Sequence, residues 1–345
     1  MEVDYIIVGC GLAGINFCEL LSKNNKSFIV FDNDSQHSST VAGGLYNPVV
    51  LKRFTPVWKS SEQLDLASNV YSSLERKLNQ ELDFKLLVRR MFYSVEEQNN
   101  WIVASDKEGL SPYLSTVFIK NENPFINAPL GFGEVTHTGR IDTSLLITEY
   151  RKHLESKGQL IREPFDYDTI DLEEQDVKYK SISAQHIVFS EGFGLKQNPF
   201  FNHLPLKGTK GELLTIHAPD LNIDYVLKSS AFLIPFGEDL YRVGATYEWG
   251  DKTNQPTEKG KQELLSKLKP LINCSFEVVE HHAGMRPTVI DRRPLVGTHS
   301  KHKNLHVLNG LGTRGVMIAP YVAKALYESI EDGITLDPEI DINRF

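Results

Sequence analysis

Three glycines and an aspartate near the N-terminus are the residues of this chain with the plainest chemical use. Gly9, Gly11 and Gly14 fall in the spacing G-x-G-x-x-G, around Leu12 and Ala13, and Asp32 follows them. In such a turn the first glycine allows the tight bend, the second lets a diphosphate approach the main chain, and the third lets helix and strand pack closely. The N–H groups at the start of the following helix face the phosphates. An acid about 20 residues further on accepts hydrogen bonds from a ribose hydroxyl and repels a 2′-phosphate, which disfavours NADP. The motif by itself does not separate FAD from NAD.

Other groupings promise less. His299, His302 and His306 are spaced like weak metal ligands, but Lys301 and Lys303 intervene and a surface loop is expected, so no metal site is assigned. His281 and His282 are consecutive on an expected strand and so face opposite ways, one of them available to a pocket. The three cysteines, Cys10, Cys18 and Cys274, form no C-x-x-C pair, so a reducing, cytoplasmic setting is expected rather than a disulfide framework. No basic segment followed by an apolar one opens the chain, and no run of about 18 apolar residues occurs. Neither a leader nor a membrane span is expected. A net charge of −8 weighs against a broad nucleic-acid surface, leaving room only for a local basic patch.

The elements that must position these residues are legible in outline. Residues 5–8 read as a buried parallel strand, residues 12–21 as a helix, and residues 27–31 as a second strand ending at Asp32. Residues 38–48 are small and loop-like, and Gly43-Gly44 could let main chain approach a flat ligand. Ser60 with Gln63 resembles a capping box opening an amphipathic helix through Leu78. Residues 84–135 read as short strands and loops, and Asp142 as the N-cap of a helix stopped by Gly158. Strands follow at 159–161 and 187–192, with charged turns expected at 106–108 and 171–176. Residues 210–285 alternate strands and turns around a helix at 257–271, a mostly antiparallel sheet with one cover. A second strand, glycine loop and helix close the chain: residues 305–308, then 309–315, then a helix with Pro320 early in it and Gly333 ending it.

The fold class is therefore α/β, a Rossmann-type nucleotide-binding domain with an inserted, mainly antiparallel sheet plus helix. Its expected division gives residues 1–55, 141–204 and 285–345 to the nucleotide domain. Residues 56–140 and 205–284 make the substrate domain.

Together these pieces resemble the glycine/D-amino-acid oxidase superfamily of FAD enzymes, in the glycine oxidase and sarcosine oxidase branch, over nearly the whole chain. The resemblance rests on residues 9–14 with Asp32, residues 38–45, Gly284-Met285-Arg286-Pro287, residues 291–297, and residues 310–315 followed by Ala319-Pro320. It implies non-covalent FAD. Relatives that tether flavin use a histidine aligned with Val41 or a cysteine near the C-terminal region, and His37 is out of register. The implied cofactor contacts are Gly9, Gly11, Leu12, Ala13, Gly14, Asp32, Asn33, Ser38, Ser39, Ala42, Gly43, Gly44, Phe165, Ser190, Glu191, Gly192, Arg286, Gly312, Thr313, Arg314, Gly315, Val316 and Met317. Residues 312–317 would lie against the pyrimidine end of the flavin. Glu191 stands where a small residue is common.

For the substrate, the resemblance gives Arg286 the carboxylate and Arg314 a mobile position at the mouth. A structural ion pair of Arg286 with Asp291 or a glutamate is the competing assignment. Tyr247, Phe232, Leu45 and Tyr46 are the candidate pocket walls; Phe232 replaces a tyrosine, which removes a hydroxyl donor. The implied reaction is hydride transfer from the carbon beside an amine nitrogen to flavin N5, then hydrolysis of the imine, with oxygen or another acceptor taking the electrons. Residues 43–48 and 312–315 also look like the FAD domain of the bifunctional enzyme that matures the tRNA wobble uridine. A flavin-binding electron carrier without its own amine substrate is a further alternative.

Overall fold

The computed structural model describes residues 1–172 and 176–345, so the middle of the charged turn expected at 171–176 lies outside the described residues. The chain opens with β1 (Glu2–Val8), α1 (Leu12–Lys23) and β2 (Phe28–Phe31), followed by β3 (Leu45–Tyr46) and the hairpin β4 (Val49–Val50) and β5 (Thr55–Pro56). Next come α2 (Ser60–Leu78), β6 (Asp83–Lys85), β7 (Val88–Met91), α3 (Val95–Ser105), β8 (Leu114–Ile119), β9 (Phe132–Val135) and β10 (Gly139–Ile141). After α4 (Thr143–Ser156) the strands are β11 (Leu160–Ile161), β12 (Ile170–Asp171), β13 (Val177–Tyr179) and β14 (Ile182–Phe189). The second half runs β15 (Thr209–His217), β16 (Val226–Lys228), β17 (Phe232–Gly237), β18 (Leu240–Gly244), α5 (Glu258–Leu268), β19 (Glu277–Arg286), β20 (Leu295–Thr298), β21 (Leu305–Asn309) and α6 (Gly315–Glu331).

Two sheets carry the architecture. The first has the order β11-β2-β1-β14, and the far side of β14 is shared by β21 along one half and β13 along the other. The pairs from β11 to β14, and β14 with β21, are parallel. Both faces are covered, which is why the opening strand is apolar without alternation. Tyr5 and Ile7 pack under α1, α2, α4 and α6, whereas Ile6 and Val8 pack with Phe31, Phe189 and Phe201 on the other face. The second sheet, β19-β15-β18-β17-β16-β7-β9-β8, is antiparallel except where β16 meets β7. The expected α5 covers one part of it and α3 another. Strand β10 joins β3 to β6 between the two sheets. No helix among the described residues is long and apolar enough to cross a membrane.

Several expectations change. Ser60 is not the cap of α2; it is the first helical residue, behind Lys59 at φ +47, and the Gln63 amide instead donates to the Trp58 carbonyl at 2.7 Å. Residues 84–135 contain a full helix, α3. Ser94 caps it, accepting from Glu97 N at 3.2 Å while the Glu97 carboxylate accepts from Tyr93 N at 2.9 Å. Exposed Val95, Ile102 and Val103 blur its apolar face, which reduces to Trp101 and Ala104. Pro320 sits further into its helix than expected, as the sixth residue of α6. The N–H it lacks would have bonded the Val316 carbonyl, and the Tyr71 hydroxyl of α2 donates to that oxygen at 2.8 Å. Asp142 does cap α4, accepting from Leu145 N at 3.0 Å, and Gly158 and Gly333 take the left-handed backbone that ends a helix.

Candidate active site where two glycine loops meet

The N-terminal glycine turn is fixed by contact on two of its three glycines. A Cβ on Gly9 (φ +102) would meet Ser190 O at 2.6 Å, and one on Gly14 would meet Gly9 O at 2.0 Å. Gly11 is different: only the Ser39 side chain comes near its open side, with Oγ at 3.3 Å. Helix α1 then starts without a side-chain cap and without an acid in its first turn. The N–H groups around Leu12 and Ala13, with the Ser39 hydroxyl beside them, form a donor set that suits a diphosphate. Asp32 closes the turn, its carboxylate accepting from Cys10 N at 2.5 Å and Asp34 N at 2.9 Å. It also pairs with Arg151 at 2.9 Å, a partner on α4 that the sequence did not announce. Asn33 turns its own loop, accepting from Ser35 N at 3.1 Å.

The closing glycine loop lies against the opening one. A Cβ on Gly315 would meet Leu12 Cδ1 at 3.1 Å, and Leu12 and Leu311 share one core. Gly312 (φ +60) has open space on its Cβ side, Thr313 is exposed, and Arg314 precedes α6 as its N-cap residue, with no side-chain cap hydrogen bond and no first-turn acid. Val316 and Met317 are buried in the helix-covered core. Gly312 N donates to Pro287 O at 3.1 Å, which ties this loop to the residue after Arg286.

Loop 38–44 seats across the second sheet. A Cβ on Gly284 of β19 would meet Val41 Cγ2 at 2.5 Å and Ser38 Cα at 3.2 Å. Gly43 and Gly44 accommodate protein: their Cβ positions lie 2.8 Å from Ile234 Cδ1 and 1.8 Å from Ile141 O. Ala42 lies half-buried in the same loop. At the end of β14, the Ser190 hydroxyl donates to Gly9 O at 2.9 Å, and Gly192 O accepts from Asn309 Nδ2 at 3.0 Å. Glu191 gains a structural account. It is buried, it accepts from Asn198 Nδ2 at 2.9 Å and from the Tyr167 hydroxyl, and burial pushes its carboxyl up to about 7. Phe165 stacks on Tyr179 with ring centres 4.2 Å apart and packs edge-on to Phe31, within the core of the first sheet.

Arg286 is the last residue of β19. Its guanidinium lies against Gly211 of the neighbouring β15, where a Cβ would stand 2.0 Å from Nη2. It donates to Thr246 O at 3.2 Å and covers the Tyr247 ring at 4.5 Å. Among the described residues no carboxylate pairs with it; Asp291 pairs with Arg344 at 2.8 Å. Burial lowers its pKa, partly offset by Tyr247. The same two influences act on Arg314, where Arg292 adds to the lowering. Arg286, Tyr247 and Arg314 thus share one neighbourhood. The loop carrying Tyr247 is pinned by buried Lys210, whose main chain exchanges hydrogen bonds with Glu248 and whose ammonium lies 2.5 Å from Asp251.

The walls divide. Leu45 and Phe232 belong to the same cluster, beside Ile234, with Lys228 Nζ 4.7 Å from the Phe232 ring centre. Tyr46 faces the helix-covered core and donates to Asp83 Oδ1 at 2.8 Å, so it does not join them. His281 lies 2.8 Å from the Glu212 carboxylate and His282 lies 3.0 Å from that of Glu280. His306 is buried in β21, the strand expected at 305–308, between His186 and Thr298, apart from His299 and His302 in the preceding turn. Gly211, Thr246 and Arg151 were missed. Gly211 carried a weak signal, a glycine inside a strand run, where close approach of another group is a standard cause.

The family described as FAD dependent oxidoreductase matches residues 4–329. The glycine oxidase of Bacillus subtilis is 22% identical over 344 residues, covering 92% of this chain and 90% of its own. The tRNA 5-methylaminomethyl-2-thiouridine biosynthesis bifunctional protein of Marinobacter nauticus is 27% identical, over 44% of this chain and only 26% of its own. Among solved structures, glycine oxidase from Geobacillus kaustophilus superposes with a TM-score of 0.80 at 18% identity, covering 98% of this chain and 97% of that one. Iminodiacetate oxidase from Chelativorans sp. BNC1 gives 0.78 at 18% identity, covering 96% of each. The match running from residue 4 to residue 329, over a fold of the same kind, means that this chain belongs to the FAD dependent oxidoreductase family and is an FAD-dependent enzyme.

Proposed function

We propose that the protein oxidises a C–N bond of a small amine or amino acid whose carboxylate is held by Arg286. The observation that carries this is a half-buried guanidinium with no carboxylate partner among the described residues, set in the space left by Gly211. A guanidinium fork binds a carboxylate bidentately and so fixes the neighbouring carbon. Tyr247 covers the same group and Thr246 O holds one of its N–H donors, leaving the rest for a ligand. Bound FAD would supply the hydride acceptor for the carbon beside the nitrogen, and the imine so formed would be open to hydrolysis by water to a carbonyl and an amine. The first-turn main chain of α1, Ser39 and Asp32 would hold its diphosphate and ribose, and the start of α6 its ring. Oxygen, or another acceptor, completes the cycle.

We assign the cofactor half to residues 1–55, 141–204 and 285–345 and the substrate half to 56–140 and 205–284, with α2 lent by its packing to the cofactor half. Anaerobic titration with an amine panel, following flavin absorbance, tests the function. Bleaching by carboxylate-bearing amines is expected; no bleaching by any amine leaves an electron carrier. A second reading, oxidation of an amine arm on a tRNA base, draws on the partial match to the tRNA-modifying proteins. A salt-dependent tRNA gel shift would favour it.

A further inference from the structure

A cavity of about 310 Å³ opens between the β4–β5 hairpin, the turn before β20 and the start of α6. Four arginines line it: Arg53, Arg292, Arg293 and Arg314. No acidic side chain does. Arg293 is neutralised by Glu339 at 2.8 Å and lies over Trp58. Among the described residues, Arg53, Arg292 and Arg314 have no carboxylate partner. Asp291, next to Arg292 in the chain, is engaged by Arg344, and Asp337 by Lys59. Arg292 is close enough to Arg314 to disfavour its charge. Three like charges around one cavity repel one another and gain only from an anion placed between them. Arg314 is also within electrostatic reach of Tyr247, the ring that Arg286 covers, which places the cavity on the side of the proposed carboxylate site.

We infer that this cavity is a second oxyanion subsite and that the substrate is a small amino acid bearing another anionic group, carboxylate or phosphate, beyond its amine. Arg286 holds the first carboxylate; Arg53, Arg292 and Arg314 hold the second group. The inference deepens, and rests on, the amine-oxidising function proposed above.

Two measurements on the FAD-loaded enzyme separate the subsite from that function. Calorimetry with inorganic phosphate at fixed ionic strength, compared between parent and variant, reads the subsite without any amine being oxidised. The Arg53→Gln/Arg292→Gln double variant, at two exposed positions, should weaken phosphate binding about tenfold or more. Lys52→Gln, an exposed neighbour, should leave that binding unchanged. Anaerobic flavin reduction then compares iminodiacetate and O-phosphoserine with N-methylglycine. A preference for either dianionic amine, lost in the double variant, supports the inference and tells carboxylate from phosphate. Phosphate binding that is absent or equal in the double variant overturns it. So does tRNA displacing phosphate while dianionic amines gain nothing. Arginine-dependent phosphate binding with no flavin reduction by any amine removes the oxidation reading and leaves the anion site standing.

Discussion

Arg286 depends on what residue 211 lacks. A methyl group there would stand 2.0 Å from the guanidinium, so Gly211→Ala should push the arginine off its position without touching the cofactor loops. The expected outcome is unchanged FAD content and a kcat/KM lowered by up to about 100-fold, since a misplacement near 1 Å costs that much. Arg286→Ala should weaken a carboxylate substrate by about 2–5 kcal/mol, read as KM against the same substrate's uncharged amide. Glu191 makes a pH-dependent prediction. Its folded pKa, raised by burial to about 7, lies above the 4.5 of a free carboxyl, so the folded state binds the proton more tightly. Stability from this group is full below 4.5 and falls as pH climbs towards 7, by on the order of 3 kcal/mol. Glu191→Gln should therefore match the parent in thermal unfolding at pH 4.5 and exceed it at pH 8. The arginine was singled out in the sequence by its Arg-Pro context. The roles of Gly211 and Glu191 were not legible, because each depends on side chains that no local pattern ties to it: Arg286 for one, Tyr167 and Asn198 for the other.

Helices and strands were readable where one face is buried and caps are ordinary. The opening strand, helix and strand, α4 with Asp142, and α5 with Thr257 all carried their own signals. Helix α3 hid because it is anchored chiefly by one large side chain. Trp101 is fully buried, donates to Ser115 O at 2.8 Å and fills the space left by Gly133. Trp101→Ala should cost about 3–5 kcal/mol in denaturant unfolding. The clasp between α2 and α6 was equally hidden, since nothing local says that Tyr71 will serve a carbonyl freed by Pro320. Tyr71→Phe would leave that buried oxygen unpaired, and a loss of about 1–3 kcal/mol is expected. A second helix-breaking proline cannot be the remedy, but Pro320→Ala in the Tyr71→Phe background should restore part of the loss by returning an N–H to Val316.

The whole molecule is a closed circuit: the first and last parts of the chain build one sheet, and the middle returns to it through β19. The repeated strand, glycine loop and helix at both ends made this visible in the sequence. The course of residues 84–135 and the cavity behind α6 were not visible, since short strands carry little periodic signal and cavities are made by packing. If FAD bridges the two glycine loops as proposed, stripping it should lower the unfolding temperature. Adding it back at about 100 times its dissociation constant should restore roughly 2.7 kcal/mol, a shift that calorimetry at several FAD concentrations will report. The hydrogen bond from Gly312 N to Pro287 O spans the same circuit at its tightest point. The strand end that carries Arg286 and the loop before α6 are thereby tied together by a main-chain bond that does not depend on the side chains around it. A change among the side chains around this point leaves that main-chain tie intact, so the distance between Arg286 and the start of α6 should persist when the pocket walls vary.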